Sequence, residues 1–237
     1  MTVKKIHQLP RLYIKNLLAE GSAITLGEGP THQLANVLRL NNDDEIRVFD
    51  EEAGEFLASL ELPKKKNAIV HLKQQLQESP PASKPLWLYF APIKKSRMDF
   101  LIEKAAELGV TDIQPVLTDR TEVRDLNYER ITAQLVEAIE QCEAFHVPRL
   151  HKAIPLKNIN ASHKIYAALE RRHATPLQQA ITAHKEDAAG LLIGPEGGFT
   201  ENETEWLEKT PGFVSVSLGD RILRAETAAL YGLSLLI

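Results

Sequence analysis

Cysteine is nearly missing from this chain: Cys142 is the one such residue in 237. An internal disulfide and a cysteine-built zinc cluster are excluded, and a reducing compartment is expected. Long apolar runs are missing too. The longest, AALYGLSLLI at the C-terminus, is too short to span a bilayer. Lys4 and Lys5 are followed by Pro10 and Arg11, not by the apolar core of a signal peptide. A cytoplasmic protein with no membrane partner is expected. Nor is there an excess of positive charge. Lys and Arg number 28 against 32 Asp and Glu, a net charge of −4. That total argues against a general nucleic-acid binder, which neutralises phosphates across a basic face; a local basic patch is compatible with it. The eight histidines form no ligand spacing, so no metal is expected.

What is present is patterned in two halves. The first 75 or so residues mostly alternate with period two. EIRVFD puts Ile46 and Val48 on one face and Glu45 and Arg47 on the other. FLASLEL aligns Phe56, Ala58, Leu60 and Leu62, and AIVHLK aligns Ala68, Val70 and Leu72. Half-buried strands joined by turns such as EEAG and PKKKN predict a small β-barrel over 1–76. One short helix interrupts it, with Thr31 as cap and Leu34, Val37 and Leu38 as its apolar stripe. QESPPASKP then reads as a linker over 77–85, since its prolines cannot continue a sheet interior.

From 86 to 237 strands and helices alternate, which predicts an α/β domain with a largely parallel sheet. LWLYFAP is apolar throughout, as a strand buried on both faces should be. The helix SRMDFLIEKAAELG is expected to start at a Ser96/Asp99 capping pair and to stop at Gly109. NYERITAQLVEAIEQC carries Ile131, Leu135 and Ile139 on one face, and Cys142 at its end is expected to pack. VTDIQPVLT, KIYAALE, AAGLLI and FVSVSL read as further strands. TENETEWLEK and RAETAALYGLSLLI read as further helices.

Two loops at strand carboxyl ends have unusual content, and ligands of open α/β sheets bind at that edge. The first is IGPEGGFTENE, with Gly194, Gly197 and Gly198 around Pro195 and Glu196. A bare turn needs one or two glycines, so either a ligand lies against the backbone or the glycines serve packing. Phosphate fits poorly: there is no lysine in the loop, no Walker or dinucleotide fingerprint, and Glu196 would repel it. A neutral or cationic ligand such as S-adenosylmethionine suits the loop better. Thr200 and Glu203 form a capping box just beyond. The second loop, SLGDRILRAET, places Arg221, Arg224 and Glu226 near Gly219. That cluster either grips a ligand or is a solvated group of ion pairs.

IGPEGGFTENE followed by SLGDRILRAETA resembles the SPOUT-class RNA methyltransferases, and among them the RsmE family, which methylates ring nitrogen 3 of a uridine in 16S ribosomal RNA. KKSRMDFLIEKAAELGV and THQLANVLRL are similar to the family's other stretches, so the likeness covers nearly the whole chain. It implies a PUA-like β-barrel, RNA-binding, followed by a SPOUT α/β domain threaded as a trefoil knot, a form periodicity cannot reveal. It implies a homodimer that acts on 16S rRNA in the small ribosomal subunit. It implies S-adenosylmethionine bound by Leu169, by Ile193, Gly194, Pro195, Glu196 and Gly197, and by Leu218, Gly219, Ile222, Leu223, Arg224 and Thr227. One stretch departs. The family tends to read Glu-Gln-Cys/Ser-Gly-Arg where this chain has EQCEAFHVP, so Glu143 and Ala144 stand for Gly and Arg. The resemblance therefore does not carry that arginine's phosphate or RNA contact over to this chain; His146 is a weak substitute for it, and a lone histidine is more often a surface or packing residue.

Methylation of a uracil imide nitrogen requires a proton acceptor and donors to the flanking carbonyls. Arg224 is the candidate donor, and Glu196 or Glu226 the candidate acceptor; either acid could instead orient Arg224. Candidate RNA contacts are Arg11, His32 and Arg39 in the barrel, Lys64 to Lys66 in its hairpin, and Lys94, Lys95 and Arg97 beside the first large helix. The competing readings are a non-catalytic RNA-binding and dimerisation protein, a SPOUT enzyme acting on another RNA, and a nucleotide-binding enzyme.

Overall fold

The two periodicities build two compact units, Met1–Ala82 with Ile139–His146, and Ser83–Ala138 with Val147–Ile237. The computed structural model describes residues 5–15, 17–63, 67–169, 174–183 and 187–237.

In the first unit, alternating residues fold into one curled sheet. Its strands are β1 (Arg11–Tyr13), β2 (Ala23–Thr25), β3 (Glu45–Phe49), β4 (Glu55–Glu61) and β5 (Ile69–Gln77), in the order β1-β3-β4-β5-β2. β1 runs parallel to β3; the other pairs are antiparallel. Ile46, Val48, Phe56, Ala58, Leu60, Ala68, Val70 and Leu72 all face one apolar core. The short helix differs from its expected form. α1 (Glu28–His32) is capped by Gly27 and passes into a π-helical turn over Gln33–Val37. The Thr31 hydroxyl instead accepts from Ala68 N–H at 3.0 Å, which ties the helix to the sheet. Leu34 is buried, whereas Val37 and Leu38 are exposed, because a π-turn rotates the residues that follow it off a 3.6-residue stripe.

The other face of β3 is not solvated either. Arg47 is buried and shares Glu55 with Arg11. Arg11 donates to Glu55 at 2.5 Å and to the carbonyls of Ile139 and Ala144 at 3.0 and 2.8 Å, with its guanidinium 3.5 Å over the Phe49 ring. Phe145 packs edge-on against Phe49, and Glu140 accepts from Tyr13 N–H at 2.9 Å. The EQCEAF stretch therefore completes the first unit. Cys142, expected to pack, is exposed: it lies just past the last helical residue, Gln141.

The second unit is an eight-stranded sheet ordered β11-β13-β10-β12-β6-β7-β8, with β9 pairing β7; all its pairings are parallel. Its strands are β6 (Leu86–Phe90), β7 (Asp112–Leu117), β8 (Arg149–Leu150), β9 (Ile154–Pro155), β10 (Lys164–Ala168), β11 (Thr175–Pro176), β12 (Ala189–Ile193) and β13 (Phe213–Ser217). Its helices are α2 (Lys95–Glu107), α3 (Tyr128–Gln141), α4 (Leu177–Ala183), α5 (Glu201–Lys209) and α6 (Ala225–Ser234). α3, which buries Ile131, Leu135 and Ile139, passes its last residues to the first unit. α2 begins one residue before Ser96. Its N-cap is Lys94, without a side-chain cap bond, and Asp99 pairs with Arg130 at 2.7 Å instead of capping. α6 lies on β12 so closely that a Cβ on Gly232 would stand 2.6 Å from Leu191 Cδ2. Among the described residues no helix is long and apolar enough to cross a membrane.

Among the described residues Glu143 is the third non-glycine residue with positive φ, at 58°, after Arg39 and Asp43. A side chain in the left-handed region costs about 1–2 kcal/mol. Opposing that cost, its carboxylate accepts from Arg47 Nη2 at 2.7 Å. This hydrogen bond holds Glu143 below the usual carboxylate range, despite a contrary effect of burial. A depressed folded-state pKa stabilises above the unfolded value and loses that contribution as pH falls through the folded one. We predict the stability order wild type, Glu143→Gly, Glu143→Ala in thermal unfolding at pH 7. Alanine should fall about 1 kcal/mol below glycine, since it keeps the backbone cost without the ion pair. Below the ordinary carboxylate range the gap between wild type and alanine should close.

Candidate functional site

A parallel sheet sends every loop that follows a strand to the same edge. β13, β10 and β12 are neighbours, so the loops after Ser217, Ala168 and Ile193 emerge side by side. The structure thereby brings together Leu169, the 193–198 loop and the 218–227 loop. Leu169 is buried and donates to Val216 O at 3.1 Å, which carries the β10–β13 ladder one residue past the strand.

The glycines of the first loop have separable reasons. A Cβ on Gly194 would stand 2.9 Å from the Phe199 ring, so this glycine admits the ring. Gly198 has φ 68° and closes a turn through its N–H to Pro195 O at 2.8 Å. Gly197 has neither constraint. A Cβ there would meet the Arg120 side chain at 3.4 Å, an ordinary contact. The surplus glycine is thus Gly197, on exposed backbone beside Glu196. Beyond it, Thr200 and Glu203 form the reciprocal capping box that starts α5.

In the second loop Gly219 has φ 113°, and a Cβ there would meet no protein atom within 4 Å. Ser217 Oγ accepts from its N–H at 3.1 Å. Arg221, Ile222, Arg224 and Thr227 are exposed, and Leu218 and Leu223 half-buried. Arg224 is the N-cap residue of α6, and its side chain makes no ion pair among the described residues. Glu226, the second residue of that helix, is almost enclosed. Its Oε1 lies 3.8 Å from Arg97 Nε, and its Oε2 is buried without a hydrogen-bond partner.

An open cleft of about 520 Å³ adjoins the first loop, lined by Lys94, Arg97, Asp119, Arg120, Thr121, Glu122, Glu196 and Gly197. Arg97 stands between two acids, with Glu196 Oε1 3.6 Å from its Nη1 and Glu226 on its other side. Both distances exceed hydrogen-bond length, so the three groups interact as charges. Arg97 was expected to meet RNA and is found at the catalytic candidates. Arg120 escaped sequence reasoning. The signal available for it was its place two residues after the Thr118 that ends VTDIQPVLT, on the same carboxyl edge as the glycine loop.

The expected RNA contacts separate. Lys94 and Lys95 are exposed at the start of α2, and His32 and Arg39 are exposed in the first unit. Arg11 is a correction: it is buried, paired with Glu55 and covered by Phe49, so it has no charge to present to RNA. Lys64 to Lys66 lie outside the described residues. Among the described residues no group of acids, histidines or cysteine could hold a metal ion. A further cluster lies at the amino edge, where buried Asp112 accepts from Arg149, His151 and Thr111. Burial would raise the Asp112 pKa, but these donors together lower it. Its hydrogen bonding is complete, as a structural acid requires.

The glycine assignments are testable by thermal unfolding. Gly198→Ala should lose about 1–2 kcal/mol of stability, the cost of a left-handed side chain. Gly197→Ala should be neutral or gain about 0.4–1 kcal/mol, because its backbone is compatible with alanine.

Comparison with known proteins follows this geometry. The RNA methyltransferase domain family matches residues 80–237 and the RNA methyltransferase PUA domain family residues 32–73. The ribosomal RNA small subunit methyltransferase E of Rickettsia conorii is 37% identical over 93% of this chain and 91% of its own. A Neisseria gonorrhoeae ribosomal RNA small subunit methyltransferase E, solved with S-adenosylmethionine bound, superposes with a TM-score of 0.82 at 30% identity over 96% of both chains. A Legionella pneumophila structure with the same cofactor bound gives a TM-score of 0.83 at 29% identity, over 97% of both chains. Matches of this extent in both units settle the kinship: the chain belongs to the ribosomal RNA small subunit methyltransferase E family of RNA methyltransferases.

Proposed function

We propose that this protein transfers a methyl group from S-adenosylmethionine to ring nitrogen 3 of a uridine in the 16S rRNA of the small ribosomal subunit. One observation carries the reading: loops separated in sequence converge at the carboxyl ends of β10, β12 and β13, beside the Arg97–Glu196–Glu226 group. The residues fit the cofactor. Gly197 and Gly219 present open backbone, and Glu226 has an unfilled buried acceptor, which suits a cationic ligand better than a phosphate. Leu169, Ile193 to Gly197, Leu218, Gly219, Ile222, Leu223 and Thr227 would hold it. When bound, it supplies an electrophilic methyl group on a sulfonium.

The protein's own groups then act on the acceptor base. Glu196, exposed in the cleft, takes the imide proton at a carboxylate oxygen. The charge left on the uracil spreads to its carbonyl oxygens, where Arg224 donates. Arg97 interacts with both acids, and Glu226 adds negative charge beside it. Lys94, Lys95, His32 and Arg39 meet the RNA backbone. The same reading makes residues 1–76 the RNA-binding domain, 77–85 the linker and 86–237 the catalytic domain, and it places the protein in the cytoplasm. It includes the trefoil threading. It includes a homodimer that covers Phe100 of α2 with Tyr231 and Ile237 at the end of the chain, all exposed and apolar.

Single-turnover methylation of small subunits at saturating S-adenosylmethionine, with the product mapped to the uracil ring, tests the reading. Arg224→Ala should slow the saturated rate about 100- to 1,000-fold, the effect of losing a donor to developing charge. An unchanged rate would make Arg224 structural, and absence of uridine product with the wild type would overturn the substrate. S-adenosylmethionine and S-adenosylhomocysteine, but not ATP, should raise the unfolding temperature. Light scattering at micromolar concentration should show a dimer; a 26.5 kDa species alone would remove it from the reading.

A further inference from the structure

We propose that Arg120 is a positioning residue of the cofactor site, holding the glycine loop in one conformation from the neighbouring β7–α3 loop. Its Nη1 donates to Gly197 O at 2.7 Å and lies 3.4 Å from Phe199 O. Its stem passes alongside Gly197. Arg120 is exposed, and no acid pairs with it among the described residues. Ordering a long exposed side chain costs about 2 kcal/mol of rotamer freedom. That cost is met here by backbone carbonyls of a single loop.

The effect on the loop is specific. The peptide joining Gly197 to Gly198 is held at both ends: its carbonyl by Arg120, its N–H by Pro195 O at 2.8 Å. The loop carrying Arg120 is itself fixed. Asp119 N–H donates to Glu203 Oε1 at 2.8 Å, while Glu203 Oε2 accepts from Thr200 N–H at 2.8 Å. Thr121 Oγ1 accepts from Thr118 N–H at 2.9 Å. The glycine loop is thus braced from a neighbour whose own geometry is set by buried and part-buried hydrogen bonds. Glycine-rich backbone left unbraced has many conformations to lose on binding, and preorganisation removes that cost.

This inference rests on the cofactor reading above, and the test separates the two. Arg120→Met keeps the stem and removes the donors; Arg120→Lys restores one donor group. By calorimetry, Arg120→Met should bind S-adenosylhomocysteine about tenfold more weakly, with Arg120→Lys in between, a loss in the range of one charge-assisted hydrogen bond. Hydrogen exchange without ligand should speed up at Gly198 N–H in Arg120→Met and stay unchanged in the β12 and β6 amides. Wild-type protein that fails to bind S-adenosylhomocysteine would overturn the cofactor reading itself. Wild-type affinity in Arg120→Met would overturn the positioning role alone. So would a variant that keeps cofactor affinity but loses affinity for 16S RNA, since Arg120 would then serve the RNA.

Discussion

Everything at the candidate site depends on one constraint: the strands of the second unit's sheet are all parallel. A parallel strand cannot return through a hairpin, so each connection crosses over the sheet and each outgoing loop leaves by the same edge. With β10 between β13 and β12, Leu169, Gly194 and Leu218 become neighbours although the sequence holds them apart. β6 and β7 continue the row and bring Lys94, Arg97, Asp119 and Arg120 to the same edge. The sheet thus sorts residues by a simple rule. Chemistry gathers where strands end, and satisfied structural polar groups such as Asp112 sit where they begin.

The first unit solves a different problem. A small curled sheet has little apolar surface to bury, and one face of β3 and β1 carries arginines. Arg11 and Arg47 are made tolerable by Glu55, by carbonyls of Ile139 and Ala144, and by the Phe49 and Phe145 rings. Buried charges demand such company, and here only Arg11 Nη2 among the atoms of this pair is buried without a hydrogen-bond partner. The stretch that supplies part of it runs from Ile139 to His146. Glu143 holds a left-handed position there and offers a carboxylate to Arg47.

Period and turn chemistry made most of the fold legible. The alternation of β4 and β5 and the stripe of α3 report burial on one face, the apolar run of β6 reports burial on both, and burial is what periodicity measures. The Thr200–Glu203 box and the glycine loop were readable because capping and positive φ act between near neighbours. The parts that were not readable depend on partners far along the chain. Arg120 bonds to a carbonyl 77 residues away. Arg11 was taken for an exposed cation because nothing around it in sequence reveals Glu55. Asp99 was taken for a cap because the pattern has no knowledge of Arg130. Long-range polar pairing leaves no local period, and the site's second wall consists of little else.

Glu203 uses its two carboxylate oxygens for two different segments of the chain, one for the start of its own helix and one for the backbone of Asp119. In an ordinary capping box glutamate and glutamine are interchangeable, because one acceptor suffices. Here a glutamine would bring a single carbonyl oxygen to two N–H groups and point an amide donor at one of them. An exchange that helix statistics treat as silent is therefore not silent at this position.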